Sequence, residues 1–356
     1  MPVAKSTRIC QALKILKILN NFPSSDGFRA IEPAHAADYS DLTLWWCGPL
    51  MAGGVITDTG RNIFVSAPDG LRIHVRECGS SRSPALPVVC LPGLTRTVAD
   101  FDALAAALAD TGPRRVLAID SRGRGESEYD RNPENYNLLV ELSDVVAVLT
   151  ALSVGPAVFV GSSRGGLLAM HLAVAHPTAI AAVVLHDIGP VIEPKGLIRI
   201  RGYVGKMMQP RTFAEGAEIL RRLSSSQFPN LTPEQWLAAA QRAWQVRDGA
   251  MVPTYDVQLA RTLAAIDLEQ RLPPLWNEFE ALKHVPVLVI RGANSDILSA
   301  ETLAAMAARH PGMESIEVPD QGHVPLLEGD LAVRITQFVA ARDRAQAGPA
   351  AASAGG

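Results

Sequence analysis

The sequence has little of what would assign it to a specialised class of protein. Its 356 residues include four cysteines and no C-x-x-C pair, so neither a disulfide framework nor a thiolate zinc site is expected. No apolar run reaches the length of about 18 residues that suggests a membrane-spanning helix. The net charge is −3, without a cluster of Lys and Arg. Nucleic acid and anionic membranes are therefore not expected partners.

The composition that is present, 48% hydrophobic and 19% charged, is typical of globular proteins. The length allows a core domain and a smaller insertion. Residues 1–60 show no clean period and predict a poorly ordered extension, and the Ala/Gly-rich residues 343–356 predict a flexible tail. The apolar stretch Ile9–Leu19 is interrupted by Lys14 and Lys17, unlike a signal peptide. We therefore expect a cytoplasmic protein.

Short apolar runs alternate with helical periods between these ends, which predicts an α/β fold with a mostly parallel sheet flanked by helices. The predicted strands are Ile63–Ser66, Leu71–Glu77, Pro87–Leu91, Arg115–Ile119, Ala157–Val160, Ala181–Leu185, Val285–Ile290 and Glu314–Val318. Residues 61–188 and 283–342 form the predicted core. Residues 189–282 show no convincing strand but contain helical segments such as Phe213–Leu223 and Thr232–Val246, and they predict a helical cap.

The strongest local motif is the Gly-Ser-Ser-Arg-Gly sequence at residues 161–165. It matches G-x-S-x-G, the tight strand-to-helix turn that projects a nucleophilic serine from the end of a sheet. An apolar strand precedes it and a helical period follows, which is the context that this motif requires. We therefore predict Ser163 as the nucleophile; the alternative is a plain glycine-rich loop.

An oxyanion formed at Ser163 needs hydrogen-bond donors. The N–H of Arg164 lies at the start of the following helix, where backbone donors are unpaired. A second donor is expected from the loop after the third predicted strand, and the N–H of Leu94 is the candidate there, with Gly93 allowing a close approach. An ordinary Pro-Gly turn at that loop is the alternative.

A serine hydroxyl also needs a base and an acid that holds the base. In folds that carry this strand-to-helix serine turn, the serine comes first in the chain, the acid second and the histidine last. His323, which follows the last predicted strand, is the predicted base. Asp296 is the predicted acid because it follows the next-to-last strand, and Asp187, at the end of an earlier strand, is its rival.

Together these motifs resemble the α/β-hydrolase superfamily over about residues 63–341. The resemblance is to capped serine hydrolases that include small-molecule carboxylesterases, enol-lactonases and meta-cleavage C–C hydrolases. Two positions depart from these relatives. Pro92 stands where His is usual before the oxyanion-loop glycine, and Arg164 stands where Met or Leu is common. The Arg164 side chain could meet a substrate carboxylate or pair with a nearby Asp or Glu.

The function expected is hydrolysis of a small-molecule carboxylic ester or lactone through an acyl-enzyme on Ser163. C–C bond hydrolysis with the same triad is an alternative, and a non-catalytic ligand receptor is another. No cofactor or metal is expected, and a homodimer is left open. Candidate pocket residues are Ser162, His186, Trp236 and Trp244, although apolar residues at helical spacing also form a cap's own core.

Overall fold

The computed structural model describes residues 60–267 and 272–346. Residues 1–59 of the predicted N-terminal extension and residues 347–356 of the predicted tail lie outside the described residues, whereas residues 343–346, also predicted as tail, belong to the last helix. Within the described ranges, no helix combines the length and the apolar character needed to cross a membrane.

The described residues contain one large sheet whose strand order is β1-β2-β4-β3-β5-β6-β9-β10. β1 and β2 are antiparallel to their neighbours, and the strands from β4 to β10 run parallel. The predicted α/β fold with a mostly parallel sheet is confirmed. The strands of the sheet are β1 (Arg61–Ser66), β2 (Arg72–Cys78), β3 (Val88–Leu91), β4 (Val116–Ile119), β5 (Ala157–Ser162), β6 (Ile180–His186), β9 (Val287–Gly292) and β10 (Glu314–Val318).

Helices cover both faces of the sheet. The α-helices are α1 (Asp102–Ala109), α2 (Leu138–Ala151), α3 (Arg164–Ala175), α4 (Pro194–Tyr203), α5 (Phe213–Ser224), α6 (Pro233–Ala243), α7 (Ala260–Ala264), α8 (Trp276–Glu280), α9 (Ala300–Arg309) and α10 (Gly329–Gln346). Short 3-10 helices lie at Val98–Phe101, Pro133–Asn135, Pro177–Ala179 and Val257–Leu259.

The core is divided by the sheet, because successive side chains of a strand point to opposite faces. In β5, Phe159 packs with α2 and α3 on one face, whereas Val158 and Val160 pack with α1 and α10 on the other. All six residues of β5 are buried, which explains why the strand appears in the sequence as a continuous apolar run rather than an alternating one.

The segment between β6 and β9 corrects one expectation. It contains the helices α4 to α8, of which α5 matches the predicted Phe213–Leu223, but also a hairpin of β7 (Trp244–Arg247) and β8 (Ala250–Pro253). The predicted helix Thr232–Val246 therefore ends at Ala243. The reason is the turn at Asp248 and Gly249, whose φ values are 52° and 76°. Asp-Gly with positive φ at both positions is the preferred two-residue hairpin turn, and it fixes the preceding residues as a strand.

Two backbone hydrogen bonds join this inserted segment to the loop after β4. The N–H of Gly125 donates to the carbonyl of Thr254, and the N–H of Asp256 donates to the carbonyl of Gly123, both at 2.7 Å. The hydroxyl of Tyr136 also donates to Asp256 Oδ2 at 2.5 Å. The inserted segment is thus held against the C-terminal ends of the core strands.

A tight turn connects β5 to α3 at Ser163, whose φ is 50° and ψ is −113°. This turn brings Gly161 and Gly165 against other backbone atoms. A Cβ at Gly161 would lie 2.5 Å from the nitrogen of Gly166, and one at Gly165 would overlap the carbonyl oxygen of Leu91. Glycine is therefore required at both positions by space rather than by φ.

Replacing Gly165 by alanine is expected to destabilise the protein by about 1–3 kcal/mol, because the added methyl group meets a rigid strand carbonyl. Gly155→Ala is the matched control, since nothing lies within 4 Å of a Cβ at that exposed position, and its effect should stay within about 0.5 kcal/mol. Urea unfolding of both variants measures the difference. Equal stability of the two variants would contradict the steric argument.

Candidate active site

Three side chains from separate parts of the chain meet at the C-terminal edge of the sheet. Ser163 Oγ lies 2.8 Å from His323 Nε2, and His323 Nδ1 lies 2.8 Å from Asp187 Oδ2. Ser163 belongs to the turn between β5 and α3, Asp187 follows β6, and His323 lies in the loop between β10 and α10. This chain of hydrogen bonds has the geometry of a nucleophile, a base and an acid that orients the base.

Asp187 is held by three donors besides its own backbone. Its Oδ1 accepts the N–H of Gly292 at 2.8 Å, and its Oδ2 accepts the hydroxyl of Ser295 at 2.6 Å as well as His323 Nδ1. The carboxylate is fully buried. The backbone φ of Asp187 is 54°, which turns the chain sharply after β6. Because buried carboxylates are costly unless they are hydrogen-bonded, this set of donors keeps Asp187 in place as an acceptor for His323.

The position of Asp296 contradicts the prediction that this residue would orient His323. Its two oxygens accept Nε and Nη2 of Arg199 on α4, at 2.7 and 2.9 Å. Burial raises the pKa of Asp296, but the hydrogen bond and charge of Arg199 outweigh it and leave the pKa below its usual value. Asp296 is therefore an ionised partner of the inserted segment, and the rival candidate, Asp187, makes the contact with His323.

The order of residues along the chain could not distinguish the two aspartates, since both lie between Ser163 and His323. The sheet register distinguishes them. β5 and β6 are neighbours, and Ser162 pairs with His186 at their ends, so the next residue of each strand, Ser163 and Asp187, lies at the same edge. If β5 and β6 are assumed to be adjacent parallel strands, the sequence alone places Asp187 beside Ser163.

The predicted oxyanion donors belong to two segments next to Ser163, the loop after β3 for Leu94 and the start of α3 for Arg164. A Cβ added to Gly93 would lie 3.7 Å from Ser163 Cβ, so the loop after β3 passes directly beside the nucleophile. Arg164 is the first residue of α3. Neither N–H donates to another group within residues 60–267 and 272–346. The oxyanion role of both N–H groups remains a prediction, and their placement is compatible with it.

The side chain of Arg164 pairs with a carboxylate of the protein. Its Nε donates to Glu141 Oε2 at 2.7 Å, and Nη2 donates to the carbonyl of Tyr136 at 3.3 Å. Glu141 also accepts Nη1 of Arg124 at 2.8 Å. Of the two alternatives for Arg164, the ion pair with a nearby acid is the one that the structure contains.

A cleft of about 340 Å³ reaches Ser162, the residue before the nucleophile, and Val324, the residue after His323, although Ser163 and His323 themselves do not line it. Ser162 and His186, both predicted pocket residues, line it together with Arg96, Asp100 and Arg242. The hydroxyl of Ser162 lies 2.7 Å from His186 Nδ1. Burial lowers the pKa of His186 to about 4, so the imidazole is neutral at physiological pH.

The two tryptophans predicted for the pocket do not line this cleft. Trp244 packs with Ala240 and Met251 in a small apolar cluster inside the inserted segment, and Trp236 makes an edge-to-face contact with Phe228. Both are buried. Both tryptophans therefore belong to the apolar packing of the inserted segment itself, which is the alternative that the sequence allows.

A family model described as the alpha/beta hydrolase fold matches residues 87–330. This chain belongs to the α/β-hydrolase family. The hydrolase is 39% identical over 267 residues to the 3-hydroxybutyrate-oligomer hydrolase of Cupriavidus necator, a match that covers 73% of this chain and 89% of the relative. It is 26% identical over 253 residues to the 2-(acetamidomethylene)succinate hydrolase of Mesorhizobium japonicum, covering 71% and 85%.

A crystal structure of an alpha/beta hydrolase from Novosphingobium aromaticivorans is also similar to this hydrolase. The TM-score is 0.73 at 38% sequence identity, and the match covers 80% of this chain and 99% of the other. The resemblance inferred from the motifs is thus confirmed at the level of family and fold.

Substitution of the two aspartates should separate their roles. Asp187→Asn is expected to lower kcat of this hydrolase by about 10⁴-fold, because an amide cannot hold His323 in the reactive tautomer. Asp296→Asn is the matched control and should lower kcat by less than about 10-fold, since Asp296 pairs with Arg199 while His323 Nδ1 is bonded to Asp187. Steady-state kinetics measure both. A larger loss in Asp296→Asn than in Asp187→Asn would contradict the assignment.

The buried His186 predicts a pH dependence of stability. Its pKa is about 4 in the folded protein against 6.5 for an ordinary histidine, so between these values the unfolded chain binds a proton that the folded chain does not. Stability is therefore fully present above pH 6.5 and is lost as the pH falls towards 4, by about 3 kcal/mol.

Urea unfolding from pH 4 to 7 measures this dependence. His186→Asn should lower the number of protons taken up on unfolding in this window by up to one, so its free energy of unfolding should depend less on pH. Replacement of the exposed His176 by glutamine controls for the loss of a histidine as such. If His186→Asn has the same pH profile as the unaltered protein, the buried imidazole is not the source.

Proposed function

We propose that this hydrolase is a serine esterase that cleaves the ester bonds of short hydroxy-acid oligomers through an acyl-enzyme on Ser163. The observation that carries the proposal is the pair of 2.8 Å hydrogen bonds from Ser163 to His323 and from His323 to Asp187. An acyl carbon beside Ser163 would then have a nucleophile, a base and two unpaired N–H donors within reach.

In the proposed reaction, His323 Nε2 takes the proton of Ser163 Oγ while Oγ attacks the ester carbonyl. The N–H groups of Leu94 and Arg164 donate to the oxygen that becomes negative. His323 then gives its proton to the departing alkoxide and leaves an acyl-enzyme. A water molecule, deprotonated by His323, attacks that acyl group and releases the acid, while Asp187 stabilises the imidazolium in both steps.

The substrate class is inferred from a relative and from the cleft. The Cupriavidus necator relative, at 39% identity over 89% of its length, is a 3-hydroxybutyrate-oligomer hydrolase. The cleft beside Ser162 has a volume of about 340 Å³, within the range of small-molecule sites. Its lining includes Arg96 and Arg242, both paired with Asp100 in this structure, and these are the cleft's candidate partners for the carboxylate end of an oligomer.

A substrate panel tests the proposal. Linear 3-hydroxybutyrate dimer and trimer, a p-nitrophenyl butyrate ester, a lactone and a ring-cleavage dienoate are compared by kcat/KM, with products resolved by chromatography. The highest value is expected for the linear oligoesters. Ser163→Ala should lower kcat by about 10⁵- to 10⁶-fold and abolish labelling by a fluorophosphonate, whereas Ser162→Ala, which keeps the nucleophile, should still be labelled.

Other outcomes of the panel would identify the alternatives. Turnover of the dienoate without ester turnover would replace the proposal by C–C bond hydrolysis. Folded protein that neither labels with the fluorophosphonate nor turns over any substrate would indicate a receptor.

A further inference from the structure

A buried ion network connects Leu94 and Arg164, the two residues whose N–H groups are the predicted oxyanion donors. Arg124 lies in the loop after β4, and its Nε donates to the carbonyl of Leu94 at 2.8 Å. Its Nη1 donates to Glu141 Oε1 at 2.8 Å. The other oxygen of Glu141 accepts Nε of Arg164 at 2.7 Å. One carboxylate on α2 thus bridges the loop after β3 and the first residue of α3.

Burying the charges of this network costs free energy. None of its residues takes part in the hydrogen bonds that join Ser163, His323 and Asp187. The side chains of Arg124 and Glu141 are 0% and 1% exposed, and that of Arg164 is 15% exposed. Burial raises the pKa of Glu141, but the charges of the two arginines outweigh it and hold the pKa below its usual value. Buried ion pairs frequently contribute little net stability, so their presence here calls for another consequence.

We propose that Arg124 and Glu141 are positioning residues that hold the N–H groups of Leu94 and Arg164 in place for the oxyanion. This inference rests on the proposed serine-esterase function. Neither side chain touches the reacting atoms in the proposed reaction.

The physical reason lies in the loop beside Ser163. Gly93 lacks a side chain, so the peptide between Gly93 and Leu94 has few steric restraints on its orientation. The hydrogen bond from Arg124 to the carbonyl of Leu94 fixes the far side of that residue. Glu141 then holds Arg124 and Arg164 at a constant separation, which keeps the two donors pointing to one place. Misplacement of such groups by about 1 Å can cost about 100-fold in rate.

Asp144 offers a matched control on the same helix. It lies one turn after Glu141 and is 3% exposed. It accepts two hydrogen bonds from Arg122, at 2.7 and 2.6 Å. Arg122 also pairs with Asp69 and Asp130. This second buried pair braces the same loop after β4 but contacts neither Leu94 nor Arg164, so a merely structural effect would be common to both acids.

The test compares Glu141→Gln with Asp144→Asn in the full chain. Glu141→Gln is expected to lower kcat by about 10- to 100-fold with KM changed by less than about 3-fold. Asp144→Asn should leave kcat within about 3-fold, although urea unfolding should show that both variants lose stability. The direction of the change in kcat is informative, because removal of the Glu141 negative charge near a forming oxyanion would by itself raise kcat.

A short alkyl trifluoromethyl ketone gives a second readout. Ser163 Oγ adds to its carbonyl carbon, the hydroxyl proton passes to His323, and the carbonyl oxygen becomes the oxyanion that the N–H groups bind. The inhibition constant should rise by about the same factor as kcat falls in Glu141→Gln, and it should not change in Asp144→Asn.

Arg164→Met keeps the test decisive if Glu141→Gln does not fold. This change retains the N–H and leaves the pair of Arg124 and Glu141 intact, and it should lower kcat and weaken the inhibitor by about 10-fold. In the double variant the two changes should be far from additive, because both break the same link.

The proposal is overturned if Glu141→Gln matches Asp144→Asn in kcat and inhibitor affinity, if its kcat rises, or if Arg164→Met leaves both quantities unchanged. These outcomes are separable from failure of the proposed function. That failure would appear as ester turnover that survives in Ser163→Ala, or as no turnover in the unaltered chain.

Discussion

The parallel register of β5 and β6 determines where the candidate nucleophile and its acid stand. Ser162 pairs with His186 across this ladder, and the chain leaves each strand at the next residue with a positive φ, 50° at Ser163 and 54° at Asp187. Two neighbouring strands thus end in the same kind of sharp turn at the same edge. The backbone hydrogen bonds of the sheet fix both turns, so only His323 has to be brought in from a distant loop.

The loop after β4 carries the second set of constraints. It holds Arg122 and Arg124, two fully buried arginines that pair with different acids of α2, and Gly123 and Gly125 of the same loop bond to the inserted segment. A single short loop therefore contacts the core helix, the loop beside the nucleophile and the cap. This arrangement explains how charged residues are retained in an otherwise apolar region: each has a carboxylate partner and each joins two elements.

Much of this could be predicted from the sequence, because the determining interactions are local. The eight strands of the sheet follow from apolar runs. The turn at Ser163 follows from the two glycines that lie two residues before and after it, Gly161 and Gly165. The errors arose where a distant contact decides. Only the adjacency of β5 and β6 separates Asp187 from Asp296, and only the packing of Trp244 with Ala240 and Met251 separates a core residue from a pocket residue. The hairpin after Ala243 is the exception, because its signal, the Asp248-Gly249 turn, is local.

The ion pair between Asp296 and Arg199 has a consequence for how the molecule can diversify. Since the acid that contacts His323 follows β6, the loop after β9 is released from that task and instead secures α4, the first helix of the inserted segment. The hydrogen bond to His323 and the attachment of the inserted segment therefore use different aspartates. Exchange of the inserted segment therefore requires a new partner for the part-buried Asp296, whereas the contacts of Asp187 with His323 can stay as they are.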